Sequence, residues 1–321
     1  MPSNKETYRS LCETEGSKIP LFLHAWWMDA VCQDKEWDVA LARTGDRLLA
    51  AMPYLLRSRM GMRYVLQPQL TPYNGPYFLY PHDCATASRR TTFEHHAMDL
   101  LLRQLEELKL DYFQQNFSPL VTNWLPFCWQ GYRQCTRYTY LLPDINDPDS
   151  VFRAFDSQNQ RQRKIRKLLP LLHLKDDMEV DDFATLHQRY CHSRGRHDLL
   201  PQRLIKQVCH AAIARRQGVI LAVEDGQGKV AAATFYVYDD HSTHALIMCQ
   251  NPENRVQNAA DLLIWLSIRY FSSRCGCFDF EGSMLPSVEH YYRSFGAQQI
   301  PFFEVTRCHN PLFRLLLHVQ K

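Results

Sequence analysis

No stretch of this 321-residue chain approaches the roughly 20 consecutive apolar residues that a membrane-spanning helix needs. The opening segment, Met1–Ser10, has no apolar run either, so no signal peptide is expected there. No Cys-x-x-Cys pair occurs among the 11 cysteines, and no Cys/His cluster has the spacing of a structural zinc site, so no metal is expected. An excess of one charge is also missing. A formal net charge of +3 does not by itself point to nucleic acid or a membrane surface. What is present is a 45% hydrophobic share with 22% charged residues spread along the chain, which excludes a disordered protein. The length suits one large or two ordinary domains. Cys32, Cys128 and Cys209 sit in apolar or helical stretches, as reduced thiols do, while Cys275 and Cys277 share one face of a strand. The reading is of a soluble, cytoplasmic protein.

The pattern of elements comes next. Leu21–Gln33 reads as a helix, and residues 36–58 as a hairpin about Thr44-Gly45-Asp46. Residues 67–81 form a loop rich in Pro and Tyr. The stripe Met98, Leu101, Leu102, Leu105 and Leu108 predicts a helix over 89–110. A short strand (111–117), a short helix (123–132) and a strand (133–143) close this half. Pro143–Ser150, polar and with two prolines, is taken as the boundary between domains 1–145 and 146–321.

Ser157 and Gln160 have capping-box spacing, which predicts a helix start there. Two helices follow over 181–195 and 201–217, then a three-strand meander over 218–251. A long amphipathic helix (255–274), a short strand (277–280), a helix (286–295) and a strand (298–307) end the chain. The two halves echo each other, and in each an aromatic helix meets a glycine, Gly131 or Gly296, before a β-rich strand. The fold class expected is α/β (α+β), with two tandem units, each a mixed, mostly antiparallel sheet flanked by helices.

The order of the second half, with Tyr291-Tyr292-Arg293-Ser294-Phe295-Gly296 at its end, resembles the GNAT acyltransferase fold. The resemblance implies that Tyr292, four residues before the glycine, serves the departing coenzyme A thiolate as acid. The matching residue of the first half is Phe127, which has no proton to give, so that half is implied to be non-catalytic or acceptor-binding. Arg255-Val256-Gln257-Asn258-Ala259-Ala260 stands where the family carries Arg/Gln-x-x-Gly-x-Gly/Ala. There, free N–H groups and the helix dipole take a pyrophosphate. Asn258 replaces the first glycine, a departure that Asn tolerates because it adopts left-handed backbone. Backbone amides near Cys249 and Gln250 are implied to polarise the thioester carbonyl. The implied donor is acetyl-CoA or another acyl-CoA.

Two such units, a basic helix opening the second, and "FDFEGS…YYRSFG" also resemble the FemABX-like transferases. Those enzymes move amino acids from aminoacyl-tRNA onto cell-wall precursors. Many carry a coiled-coil insertion that is not evident here, and relatives without it are often assigned as acyl-CoA-dependent N-acyltransferases. The acceptor implied is thus a small-molecule amine or a cell-wall precursor, with tRNA as an alternative partner. A binding protein on a degenerate GNAT scaffold is the non-enzymatic reading.

Other site residues are read from pattern. Asp279 and Glu281 alternate along "FDFEG" and are expected on one strand face, as base or acceptor anchor. Ser283 turns the chain or caps the next helix. His290 is a further candidate base, or a surface residue. Arg161, Arg163, Lys164, Arg166 and Lys167 make a basic helix, read as a phosphate or tRNA-backbone holder or simply a solvated face. Tyr73, Asn74 and Tyr77, on the Pro-braced loop, are expected to line an acceptor pocket or to make a plain connection.

Overall fold

Local sequence decides most of the elements in this computed structural model, which describes residues 2–32, 37–157, 160–196, 200–310 and 313. Contacts divide the chain into two compact units. One comprises residues 1–137 with the chain from Pro301 on, and the other is Tyr138–Ile300. The helix α1 (Asn4–Thr14) opens on a full capping box between Ser3 and Glu6, a signal the hydrophobic pattern does not carry. The expected helix over 21–33 is a 3₁₀ turn at Leu21–Leu23 followed by α2 (Ala25–Cys32); Gln33 lies outside the described residues.

The first unit then forms β1 (Trp37–Thr44), β2 (Arg47–Arg59), β3 (Met62–Leu66) and the two-residue β4 (Tyr77–Phe78). The expected hairpin is therefore a three-strand meander, because Met60-Gly61 makes a second tight turn with both residues at positive φ. Helix α3 (Ala87–Glu107) is capped by the Thr86 hydroxyl and buries Ala97, Met98, Leu101, Leu102 and Leu105. The strand β5 (Tyr112–Asn116) pairs parallel to β3, and α4 (Leu125–Trp129) follows.

The second unit begins within β6 (Arg133–Leu142), at Tyr138, and leads through Ile145, which is fully buried and bonded to the Gly276 carbonyl, into α5 (Pro148–Arg153). The helix α6 (Arg161–Leu168) does not begin with a capping box. The Gln160 N–H is used in a turn to the Ser157 carbonyl, and Gln160 itself takes a left-handed φ of 51°. β7 (Leu172–Lys175), α7 (Val180–Ser193) and α8 (Gln202–Ala214) precede the meander β8 (Gly218–Asp225), β9 (Val230–Tyr238) and β10 (Ser242–Gln250). β9 is buried along almost its whole length, as expected of a central strand covered on both faces. The helix α9 (Ala259–Phe271) crosses the sheet, followed by β11 (Cys277–Asp279), α10 (Pro286–Arg293) and β12 (Gln298–Cys308).

The two units repeat one plan of antiparallel strands, long helix, strand and short helix, each a mixed, mostly antiparallel sheet flanked by helices. Both short helices end on a left-handed glycine, Gly131 (φ 79°) and Gly296 (φ 77°), which closes the last turn where a side chain would be strained. The closing strands are exchanged. β12 completes the first unit's sheet by pairing with β5, and β6 completes the second unit's by pairing with β11. Among the described residues no helix is long and apolar enough to cross a membrane.

The core beneath the candidate site is aromatic. Phe155 is 2% exposed and meets Trp265 and Phe295 edge-on, at 5.9 and 5.1 Å between ring centres. Phe155→Ala is expected to cost about 3–5 kcal/mol, read as a lower midpoint in guanidinium denaturation. A loss below about 1 kcal/mol would mean that this cluster does not hold the unit together.

Candidate active site

Strands β10 and β11 run parallel over only three residue pairs, Ser242–Cys277, Thr243–Phe278 and His244–Asp279, and then part. At that point three titratable side chains converge. His244 is 8% exposed, Asp279 4%, and the Glu281 side chain 15%. His244 Nδ1 lies 3.0 Å from Glu281 Oε1 and 3.6 Å from Asp279 Oδ2, and its Nε2 lies 3.0 Å from the Ser242 hydroxyl. Asp279 Oδ1 accepts from the Thr139 hydroxyl of β6 at 2.6 Å and from the Glu281 amide at 2.8 Å. The strand ends at Asp279, so Glu281 does not reach the cluster by strand alternation as expected. It gets there through a left-handed backbone, φ 67°, which is unusual for a residue with a side chain.

Burial sets the proton chemistry. It raises the Glu281 carboxyl to about 7, with the Asp279 charge adding and the hydrogen bond from His244 opposing. For His244, burial opposes the charged form. The Glu281 hydrogen bond and charge, with Asp279 and Asp239, outweigh it and hold the imidazole above its ordinary value. Near neutral pH the pair therefore shares a proton, as an ion pair or as a neutral acid beside a neutral ring. The three side chains also offer ligand atoms within 4.8 Å of one another, a His-plus-two-carboxylate set of the type that holds a divalent cation.

Tyr292 is half-buried on α10, its ring 5.2 Å from Phe280 and 6.0 Å from Tyr140. Burial, and then the charges of Glu281 and Asp279, push its phenol up to about 12. Ser283 accepts the Leu285 amide at 3.1 Å and turns the chain into α10, while His290 points to solvent on the same helix.

At the far end of β10 a cavity of about 390 Å³ is lined by Tyr190, Arg194, Gln250, Arg255, Gln257 and Asn258, among others. Asn258 adopts the left-handed conformation (φ 63°, ψ 17°) just before the first turn of α9. The Ala259 amide already donates to the Val256 carbonyl at 3.2 Å, so the pull of this helix mouth on an anion rests mainly on the helix dipole. Ala259 and Ala260 are buried in the first turn, where their small size keeps the backbone close to its neighbours. Cys249 is fully buried, its thiol 3.6 Å from the Ala233 carbonyl, and burial raises its pKa.

The structure thus brings Asp279 and Glu281 together, and gathers Gln250, Arg255, Gln257 and Asn258 around one cavity. The loop residues belong to the first unit. In the first unit Asn74 is fully enclosed, Tyr73 is 7% exposed against Phe22 and Phe302, and Tyr77 pairs with Ala51 in β4. His244 was missed, as were its supports Ser242 and Thr139. The signal was present in outline, since a parallel partner for "FDFE" has to come from the strand before the long helix, and His244 is that strand's only histidine.

Residues 156–291 match the acetyltransferase (GNAT) domain family. This stretch is a GNAT domain. Three solved structures place the domain in its larger frame. FemX is 10% identical, with 98% of each chain covered and a TM-score of 0.68. The C-terminal domain of a putative lysylphosphatidylglycerol synthetase from Agrobacterium fabrum is 9% identical, covering 98% of this chain and 96% of that one, at 0.58. A tandem GNAT protein from the clavulanic acid biosynthesis pathway is 11% identical, covering 96% and 95%, at 0.51. Identity this low carries the fold, a FemX-like tandem GNAT fold. No curated protein matches the chain in sequence. The GNAT match supports acyl transfer as the reaction class.

The raised Glu281 carboxyl has a consequence for stability. Between its unfolded value, near 4.3, and about 7 the folded GNAT domain binds more protons than the unfolded chain, so stability falls as pH rises through that window. The upward shift of His244 acts in the same sense, its contribution being lost as pH rises through its folded pKa. Urea denaturation is expected to give a more stable protein at pH 5 than at pH 8. Glu281→Gln is expected to remove most of that difference, on the order of 2–3 kcal/mol. A wild-type protein that gains stability toward pH 8 would show that Glu281 is an ordinary carboxylate.

Proposed function

We propose that the second unit transfers an acyl group from an acyl-CoA thioester, such as acetyl-CoA, to an amine. The observation that carries this reading is the Glu281–His244 pair at the point where β10 and β11 part. A carboxyl with a pKa of about 7 is matched to taking a proton from an amine near neutral pH. Asp279, held by Thr139 and the Glu281 amide, stands beside it as a second carboxyl group to orient the amine.

In this reading the donor's phosphates lie in the cavity before α9, on the amides about Asn258 with Arg255 and Gln257 at its rim, and its thioester runs back along β10 past Gln250 and Cys249. The amine nitrogen attacks the carbonyl carbon, and its proton passes to the Glu281–His244 pair. The carbon–sulfur bond then breaks and the thiolate leaves. A phenol at about 12 is a weaker acid than a thiol near 8.5, so Tyr292 serves the thiolate as a hydrogen-bond donor. The proton that finally makes the free thiol comes from the Glu281–His244 pair. The acceptor is a small amine or the amine of a cell-wall precursor.

A second reading takes aminoacyl-tRNA as the donor. The likeness to FemX, with a TM-score of 0.68 against 0.51 for the tandem GNAT protein, favours it, as do the exposed Arg163, Arg166 and Lys167 of α6. Calorimetry with coenzyme A and acetyl-CoA, followed by thiol release with a panel of amines, separates the two. Saturable binding and release that rises with pH through about 7 are expected, the deprotonated Glu281 being the active form. Tyr292→Phe is expected to lower kcat about 10- to 100-fold, with donor KM within about two-fold. No binding at millimolar coenzyme A, together with tRNA binding that weakens as salt rises, would transfer the assignment to the second reading.

A further inference from the structure

Arg161 belongs by sequence to the basic run of α6, yet it does not share that helix's solvated face. Its side chain is 8% exposed. One guanidinium nitrogen, Nη1, lies 2.5 Å from Asp261 Oδ2, and Nη2 donates to the Ser294 hydroxyl at 2.6 Å. Ser294 donates in turn to the Tyr291 carbonyl at 2.6 Å, and the Tyr291 phenol donates to Asp261 Oδ1 at 2.9 Å. The ring of contacts is closed. The guanidinium plane also lies over Phe295 at 4.4 Å and Tyr291 at 4.8 Å.

Three helices meet in this ring. Asp261 is in the first turn of α9, two residues beyond the start of the helix whose mouth forms the anion cradle. Tyr291 and Ser294 belong to α10 and its C-cap. The tyrosine pair divides its work. Tyr291 is tied to Asp261, and burial with the Asp261 charge keeps its proton on. Tyr292, one residue on, turns to Phe280 and Tyr140.

We propose that Arg161 is a positioning residue that fixes α10, and with it the Tyr292 phenol, against the anion-binding mouth of α9. Stability alone does not account for the arrangement. Arg161 Nε is buried without a partner, and well-packed apolar side chains commonly replace a buried ion pair at no loss. Geometry does account for it, because only a planar fork can reach Asp261 and Ser294 at once; a lysine can hold the charge but not both contacts. The charge has a second effect. An uncompensated Asp261 in the first turn of α9 would repel an anion at the helix mouth, and Arg161 neutralises it.

The kinetic arm of the test rests on the acyl-transfer reading, and the spectroscopic arm does not. The full chain is labelled with ¹³Cζ-tyrosine, and the Tyr292 resonance is assigned as the one lost in Tyr292→Phe. Arg161→Lys and Tyr291→Phe are each expected to shift or broaden that resonance while the protein stays folded by near-ultraviolet circular dichroism. In acyl transfer, Arg161→Lys is expected to lower kcat about ten-fold with donor KM within about two-fold. Arg161→Met, which also removes the charge, is expected to raise donor KM as well. The double variant Arg161→Lys with Tyr292→Phe is expected to be no slower than Tyr292→Phe alone, since a residue acting through Tyr292 has nothing left to act on. An unmoved Tyr292 resonance in both folded variants, or a double variant slowed by the product of the single effects, would overturn the proposal. A moved resonance in a protein that transfers no acyl group supports the clamp and counts against the acyl-transfer reading instead.

Discussion

Parallel pairing between β10 and β11 lasts three residues, and the place where it stops decides where chemistry can sit. Two strands that part leave a wedge lined by backbone and by whichever side chains stand at the fork. Here those are His244 and Asp279, with Glu281 brought in by one left-handed residue. The fork is buried, and that burial is what lifts the Glu281 carboxyl into the neutral range. The site and the core are thus one construction. Phe280, the buried residue between Asp279 and Glu281 in the chain, also meets Tyr292.

The rest of the second unit serves to hold the ends of this wedge in register. α9 offers its positive end to the cavity beyond Gln250, and α10 carries the tyrosine. A short strand and two loops separate these helices, so something must fix their relative height and rotation. Burial of α9 on nearly every side fixes its axis. The polar ring through Arg161 supplies direction, which apolar contacts alone do not.

How much of this could be read in the chain follows from the range of the interactions. The stripe on α3 and the left-handed glycines after α4 and α10 are local patterns, and they appear in the structure as the spacing implies. The capping box of α1 was equally local and went unread, while the similar spacing at Ser157 and Gln160 did not form a box. A cap needs the preceding residue extended, and there the chain turns instead. Asp279 and Glu281 were legible as a pair, but their partner was not, since His244 lies 37 residues upstream of Glu281 and reaches it only through strand pairing. Arg161 was illegible for the opposite reason. A run of basic residues on one short helix looks uniform, and only the helix phase relative to the core sends one of them inward.

The exchange of closing strands has a consequence for how the protein is made. β12 is the last strand among the described residues, yet it pairs with β5 of the first unit. During synthesis the first unit therefore emerges with its sheet incomplete, and the β5 edge stays open until Glu304–Cys308 have left the ribosome. An unpaired edge of that kind is where chains associate wrongly. The usual order, in which the N-terminal domain finishes folding before the next begins, is unavailable here. The first unit can close its sheet only after the whole of the second unit has been synthesised.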